Sequence, residues 1–293
     1  MLRRSLGAMA EVLAPEAAEE PILAPAARAA VFEWLAELRA EDELRAVGLK
    51  PRATALLHGP PGCGKTTLAH HLAARLGIPM VLVGSENVFR PYLGESEAVI
   101  DKLFKALATA SVPCLVFLDE IEAVGGSRAR NNRGGADNAR SSVPTVLLRR
   151  IEQFTGLLVA ATNRPQDLDT ALWRRFHLQV AVDLPGDDER FAILRRYGLP
   201  FAFADADLDR LCELTDGASP ALLRGVMEGV KRALVIGPRI GRDLSQPVPV
   251  FARIVASVMP PPEIMPPPLW EPGGAAALAA MTWPPRRSDE GDI

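Results

Sequence analysis

The segment Gly59-Pro60-Pro61-Gly62-Cys63-Gly64-Lys65-Thr66 constrains this chain more than any other. It has the spacing of a phosphate loop: a glycine, four residues, then Gly-Lys-Ser/Thr. Glycines permit the positive backbone angles that turn successive N–H groups inward around phosphate oxygens. Such a loop joins a strand to a helix, and the flanks supply both. Ala53–Leu57 reads as an apolar strand, and Thr67–Leu76 as the helix whose N-terminus adds positive potential. Lys65 is expected to reach the β and γ phosphates of a nucleoside triphosphate, and the Thr66 hydroxyl to bind Mg²⁺. The other loop residues, together with Thr67, complete the expected cradle for the nucleotide. A chain built around this segment has to be an α/β fold.

The rest of the pattern agrees. Strand-length apolar runs at Ala53–Leu57, Met80–Val83, Leu115–Leu118, Leu157–Ala161 and Leu178–Val182 alternate with helical stretches. The clearest helix carries Ile100, Leu103, Phe104 and Leu107 at i, i+3, i+4, i+7. Short, nearly all-apolar strands with helical crossovers predict a parallel five-stranded sheet flanked by helices, over residues 51–184. After Leu184-Pro185-Gly186 only helical patterns follow, so residues 185–259 are expected to form a small helical lid domain. Helical spacing also runs from Pro25 to Val47 and ends at Gly48, which makes residues 25–50 an N-terminal helix and linker. Residues 1–24 have no firm periodicity and read as a disordered arm. From Pro260 onward nine of 34 residues are proline, and residues 260–293 read as a proline-rich disordered tail.

A second motif, Leu115-Val116-Phe117-Leu118-Asp119-Glu120, is a buried strand ending in two acids. Asp119 at the strand's carboxyl end can hold Mg²⁺ through water, and Glu120 can act as general base on an attacking water. Composition removes other classes. With 33 basic against 36 acidic residues, the net charge of −3 gives no chain-wide footprint for nucleic acid or a membrane surface. Three cysteines show no metal spacing, and no apolar run approaches the length of a membrane span. Arg3 and Arg4 are followed by acids rather than an apolar stretch, so no secretory signal is expected and the location is expected to be cytoplasmic.

With Ala161-Thr162-Asn163-Arg164-Pro165 and Leu168-Asp169-Thr170-Ala171-Leu172-Trp173-Arg174-Arg175-Phe176, these motifs resemble the AAA+ ATPases. Within them the chain is similar to the AAA clade in the narrow sense, which includes katanin-like and proteasome-type remodelling ATPases, as a single-module member of bacterial type. The resemblance runs from about Gly48 to Met259. It implies an AAA+ module using ATP and Mg²⁺, whose hydrolysis drives the remodelling of a protein client. By the same resemblance, Asn163 matches sensor 1, which orients water against the γ-phosphate. Arg174 and Arg175 match the arginine-finger positions that reach the ATP of a neighbouring subunit. A finger acting in trans implies a homo-oligomeric ring, most often a hexamer in this family.

Arg90-Pro91-Tyr92-Leu93-Gly94-Glu95-Ser96-Glu97 looks like the family's first pore loop. Tyr92 and Leu93 would grip polypeptide by apolar contact, and Gly94 would let the loop swing. Residues 126–150 hold Arg128, Arg130, Arg133, Arg140, Arg149 and Arg150 against one acid, Asp137. That stretch supports the alternative, a nucleic-acid-associated ATPase of loader or transposition-helper type. Gly217-Ala218-Ser219-Pro220-Ala221-Leu222 departs from the clade's pattern at Pro220 and Leu222, and Arg224 is either a substitute sensor or a surface residue. Client specificity is expected from the arm, the tail or a separate adaptor.

Overall fold

The computed structural model describes residues 2–88, 95–109, 112–125, 142–262 and 264–287. The central apolar runs become strands because each can be buried on both faces, whereas Leu178–Ala181, at the sheet edge, buries only Val180 of its four residues. Six strands are present: β1 (Glu11–Leu13), β2 (Thr54–His58), β3 (Met80–Val83), β4 (Leu115–Leu118), β5 (Leu157–Thr162) and β6 (Leu178–Ala181). They lie in the order β1-β3-β4-β5-β2-β6. Strands β2 to β6 are mutually parallel, as the sequence predicts, and their central residues Leu56, Leu57, Val116, Phe117, Leu158 and Val159 are fully buried. The register sets His58 opposite Thr162 and Leu118 opposite Ala160. The carboxyl ends of β2, β5 and β4 therefore lie side by side at one edge.

The sheet has six strands rather than five, because β1 pairs antiparallel with β3. This corrects the expectation of a disordered arm over residues 1–24. Leu2 and Leu6, one helical turn apart, are buried in the cluster that holds Ile100, Leu103, Phe104 and Leu107. Strand β1 supplies partners to backbone groups that an open β3 edge would leave exposed. Arg3 donates to the Val12 carbonyl at 3.1 Å, and His70 Nε2 lies 2.8 Å from the Ala14 carbonyl oxygen. Order in the arm comes from packing, not from periodicity. The helix expected from Pro25 to Val47 is two helices, Pro25–Arg39 and Glu41–Ala46, parted where Ala40 leaves helical geometry. Beyond that break Val47 is 71% exposed, so no continuous buried face asks the helix to continue.

Contacts divide the chain into two compact units, one of Met1–Pro21, Pro25–Pro60 and Gly64–Val182, the other of Ile22–Ala24, Pro61–Cys63 and Asp183–Ile293. The second unit is built on helices Asp187–Gly198, Asp205–Leu214, Pro220–Ile236 and Pro247–Ser257. Ser219 caps the longest of them, its Oγ accepting from the Leu222 N–H at 3.3 Å, with Pro220 at the first helical position. Leu194, Leu211, Leu223, Val230 and Phe251 form its core. The described residues of the tail, 260–262 and 264–287, join this core, which corrects the expectation of disorder there. Leu269 and Leu278, on the short 3₁₀ turns Pro268–Trp270 and Gly274–Leu278, are each 1% exposed. Trp270 and Trp283 donate their indole N–H groups to the Val258 and Leu244 carbonyls. Strand β7 (Phe201–Ala202) pairs with β8 (Arg286–Arg287). Proline forbids a periodic helix there, but apolar residues between the prolines still find partners.

Candidate nucleotide site

The phosphate loop leaves β2 at His58. Gly59, at φ +146°, has no room for a side chain, because a Cβ would run into the Val182 carbonyl. Gly64, at φ +86°, opens the helix Lys65–Arg75, whose first bond runs from the Leu68 N–H to the Gly64 carbonyl at 2.8 Å. Lys65 is 6% exposed, and its ammonium donates to the Gly59 and Pro60 carbonyls, each at 2.8 Å. A buried ammonium must be satisfied. These carbonyls do so from within the loop and hold the cation where phosphate oxygens could replace them.

Thr66 Oγ1 donates to Asp119 Oδ2 at 3.2 Å, which unites the loop with the end of β4. Burial pushes the Asp119 carboxyl above its ordinary range, against the bonds from the Glu120 N–H and Thr66 and the nearby Lys65 charge. A carboxylate short of compensating charge beside a hydroxyl offers two hard oxygen donors, and this pair fits Mg²⁺. Glu120 is exposed and stands at φ +49°, a left-handed backbone that costs a side-chain-bearing residue about 1–2 kcal/mol. Its Oε2 accepts from Ser85 Oγ at 3.3 Å. Glu11, Ser85, Glu86, Asn87, Asp119 and Glu120 line an open acidic cleft beside β3.

Asn163 follows β5, and its backbone N–H donates to Glu122 Oε1 at 3.1 Å. Arg174 and Arg175 are exposed at the end of the short helix Thr170–Trp173, which Asp169 caps through the Ala171 N–H at 2.7 Å. Arg175 pairs with Glu152, while Arg174 has no ion-pair partner among the described residues. No hydrogen bond or ion pair among the described residues ties either arginine to Lys65, Thr66, Asp119 or Glu120. The structure thus links the loop, Asp119 and Glu120 by bonds in which the arginine pair takes no part, and Trp173, just before that pair, packs its ring 5.4 Å from that of His58 at the end of β2.

Tyr92, Leu93 and Gly94 lie outside the described residues, as do Arg128, Arg130, Arg133 and Arg140. Of the basic stretch, Arg150 is committed to Asp101, at 2.7 Å through Nε and 2.6 Å through its guanidinium end. Arg224 lies over the Tyr197 ring and pairs with Glu228 at 2.8 Å, which makes it a packing residue of the second unit. Sequence reasoning missed Ser85 and Glu122. Each had a faint signal: a polar residue just beyond a strand end, and a third acid after Asp119-Glu120.

A glycine-bound lysine at a helix start, facing an Asp-Glu strand end across a parallel sheet, defines the class of phosphate-loop ATPases. Comparison with known proteins narrows the class. Residues 55–184 match the "ATPase family associated with various cellular activities (AAA)". An uncharacterized AAA family ATPase, y4kL of Sinorhizobium fredii, is 36% identical over 233 residues, 78% of this chain and 68% of that protein. The chain belongs to the AAA family of ATPases. The proteasome-activating nucleotidase of Pyrococcus abyssi is 35% identical over 189 residues, and the chain spans about half of its length. The crystal structure of the FIGL-1 AAA domain shares the fold, with a TM-score of 0.68, 24% identity and coverage of 88% of this chain and 89% of that one. Among the described residues, no helix is long and apolar enough to cross a membrane.

Proposed function

We propose that this chain hydrolyses ATP as a homo-oligomeric ring, by resemblance a hexamer, and uses the energy to remodel or unfold a protein client in the cytoplasm. The observation that carries this reading is the convergence of Lys65, the Thr66–Asp119 pair and Glu120 at one sheet edge. Lys65 exchanges its loop carbonyls for the β and γ phosphate oxygens of ATP, and the helix start behind it adds positive potential. Thr66 and Asp119 hold Mg²⁺, which when bound neutralises phosphate charge. Glu120 takes the proton of the attacking water, and the Ser85 hydroxyl holds its carboxylate in place. Asn163 orients that water. Arg174 and Arg175 serve the neighbouring subunit's ATP, in keeping with their exposure and with the lack of any bond from them to Lys65, Thr66, Asp119 or Glu120 among the described residues. Tyr92, Leu93 and Gly94 grip the client.

The test is the mass of Glu120→Gln protein with and without ATP, alongside wild-type turnover against protein concentration. ATP-dependent rings, with specific activity that rises with concentration, are expected. A monomer whose turnover is independent of concentration would remove the trans finger and the ring together. Single-stranded nucleic acid should leave turnover unchanged, and salt-sensitive stimulation would shift the reading to a nucleic-acid partner.

A further inference from the structure

Thr54, the first residue of β2, is 5% exposed and polar, so its hydroxyl must be satisfied inside the fold. Its Oγ1 donates to the Arg175 carbonyl at 3.0 Å, accepts from the His177 backbone N–H at 3.2 Å, and lies 2.7 Å from His177 Nδ1. A hydroxyl carries one proton and two lone pairs. With that proton given to Arg175, the two lone pairs are left for the two His177 nitrogens, which requires the hydrogen of the ring on Nδ1. All three contacts are then satisfied at once.

The anchor is itself held. Buried Trp34 donates its indole N–H to the Arg52 carbonyl at 2.7 Å. The Glu37 carboxylate accepts from the Arg52 backbone N–H and from Nε, each at 2.7 Å. The Arg52 guanidinium holds Glu37 below the usual carboxylate range, and the nearby His177 contributes to this. Residues 52–54 are thereby fixed from the helix Pro25–Arg39, and five residues beyond Thr54 the same strand enters the phosphate loop at Gly59. The arginine pair, by contrast, ends a helix of only four residues that cannot by itself fix a backbone.

We propose that Thr54 and His177 are positioning residues for the Arg174–Arg175 pair, fixing its backbone to the strand that carries the phosphate loop. The arginines presented to one ATP are thereby indexed to the strand that holds another. This inference rests on the reading of that pair as an arginine finger, so the experiment separates the two. Turnover and nucleotide affinity are compared in assembled protein for Thr54→Val, which keeps the shape and removes the hydroxyl, and for Thr54→Ser, which keeps the hydroxyl.

For Thr54→Val, kcat should fall by about 5–30-fold, with KM and nucleotide affinity within about twofold, because the lost hydroxyl takes all three bonds with it, the tie to the Arg175 carbonyl included, and so misplaces a transition-state group. Thr54→Ser should stay within about twofold of wild type. His177→Leu, which removes one of the three bonds and leaves the tie to the Arg175 carbonyl, should lower kcat in the same direction but by less than Thr54→Val, and His177→Asn, whose amide can stand in for Nδ1, should retain activity. The Thr54→Val/His177→Leu double variant should be no worse than Thr54→Val alone, since the bond His177→Leu removes is already lost there. Normal kcat in Thr54→Val, together with loss of turnover in Arg174→Ala/Arg175→Ala, would overturn the positioning role. A rise in KM with weakened nucleotide binding would overturn it too, by making Thr54 a prop of the phosphate loop. Retained turnover in the double arginine variant would sink the finger reading instead. If Thr54→Val fails to fold, the His177→Leu and His177→Asn pair decides the matter alone.

Discussion

At the carboxyl edge of the parallel sheet, polar groups stand one step beyond a strand: Gly59 after β2, Asp119 after β4, Asn163 after β5. The two chain ends bring apolar groups instead: Leu2 and Leu6 at one, Leu269 and Leu278 at the other. The first region concentrates strain and undercompensated charge, seen in Glu120 at positive φ and in Asp119 with its raised carboxyl. The second region carries packing, strand pairing and hydrogen bonds that close the fold. If the sheet edge carries the proposed chemistry, substitutions there and at the chain ends should separate turnover from stability.

The largest expected effect lies at the sheet edge. Glu120→Gln should lower ATP turnover by about 10²- to 10⁴-fold, with nucleotide still bound and the melting temperature near that of wild type. Steady-state ATPase and thermal unfolding on the same samples check this. A melting temperature that falls as far as for a core leucine variant would end the division between the two regions. Next come the chain ends. Leu6→Ala and Leu278→Ala should each cost about 2–5 kcal/mol of stability, the usual range for buried leucine truncation. Denaturant unfolding reads this directly, and unchanged midpoints would mean that the ends do not pack as described.

The same contrast explains what the sequence could disclose. The central parallel strands were legible because burial on both faces demands unbroken apolar runs, β6 by its Leu178 and Val180 about Gln179, and the phosphate loop because its glycines answer a steric need. Strand β1 was not, since three residues of pairing leave no period to detect and its energy comes from β3 and from leucines a turn apart. The tail hid for a related reason: proline erases periodicity without erasing burial. Thr54 and His177 were invisible because 123 residues separate two halves of one hydrogen bond. Glu122 could be seen as an acid, but its bond to the Asn163 N–H needs the β4 and β5 ends to be adjacent.

A subtler test probes strain. Glu120→Gly removes the side chain that makes φ +49° costly, and should recover about 1 kcal/mol or less of stability while abolishing turnover. A variant both inactive and less stable would place the cost of that backbone elsewhere.

The smallest effect concerns Asp119. Burial raises its carboxyl above the ordinary value, so the folded chain keeps this proton to a higher pH than the unfolded chain does. Wherever the folded state binds more protons, stability falls as pH rises. The unfavourable contribution is therefore absent below the ordinary carboxylate range, grows as pH climbs through it, and is complete above the raised folded value. Asp119→Asn abolishes that dependence. Without nucleotide or Mg²⁺, the variant should melt higher than wild type at neutral pH, and the two curves should converge as pH falls toward 4. Adding Mg²⁺ with nucleotide should reverse the ranking, because the cation compensates the charge that partial burial leaves undercompensated. Parallel melting profiles across this range would show that Asp119 stores no such cost, and the edge of the sheet would then differ from the chain ends in chemistry but not in stability.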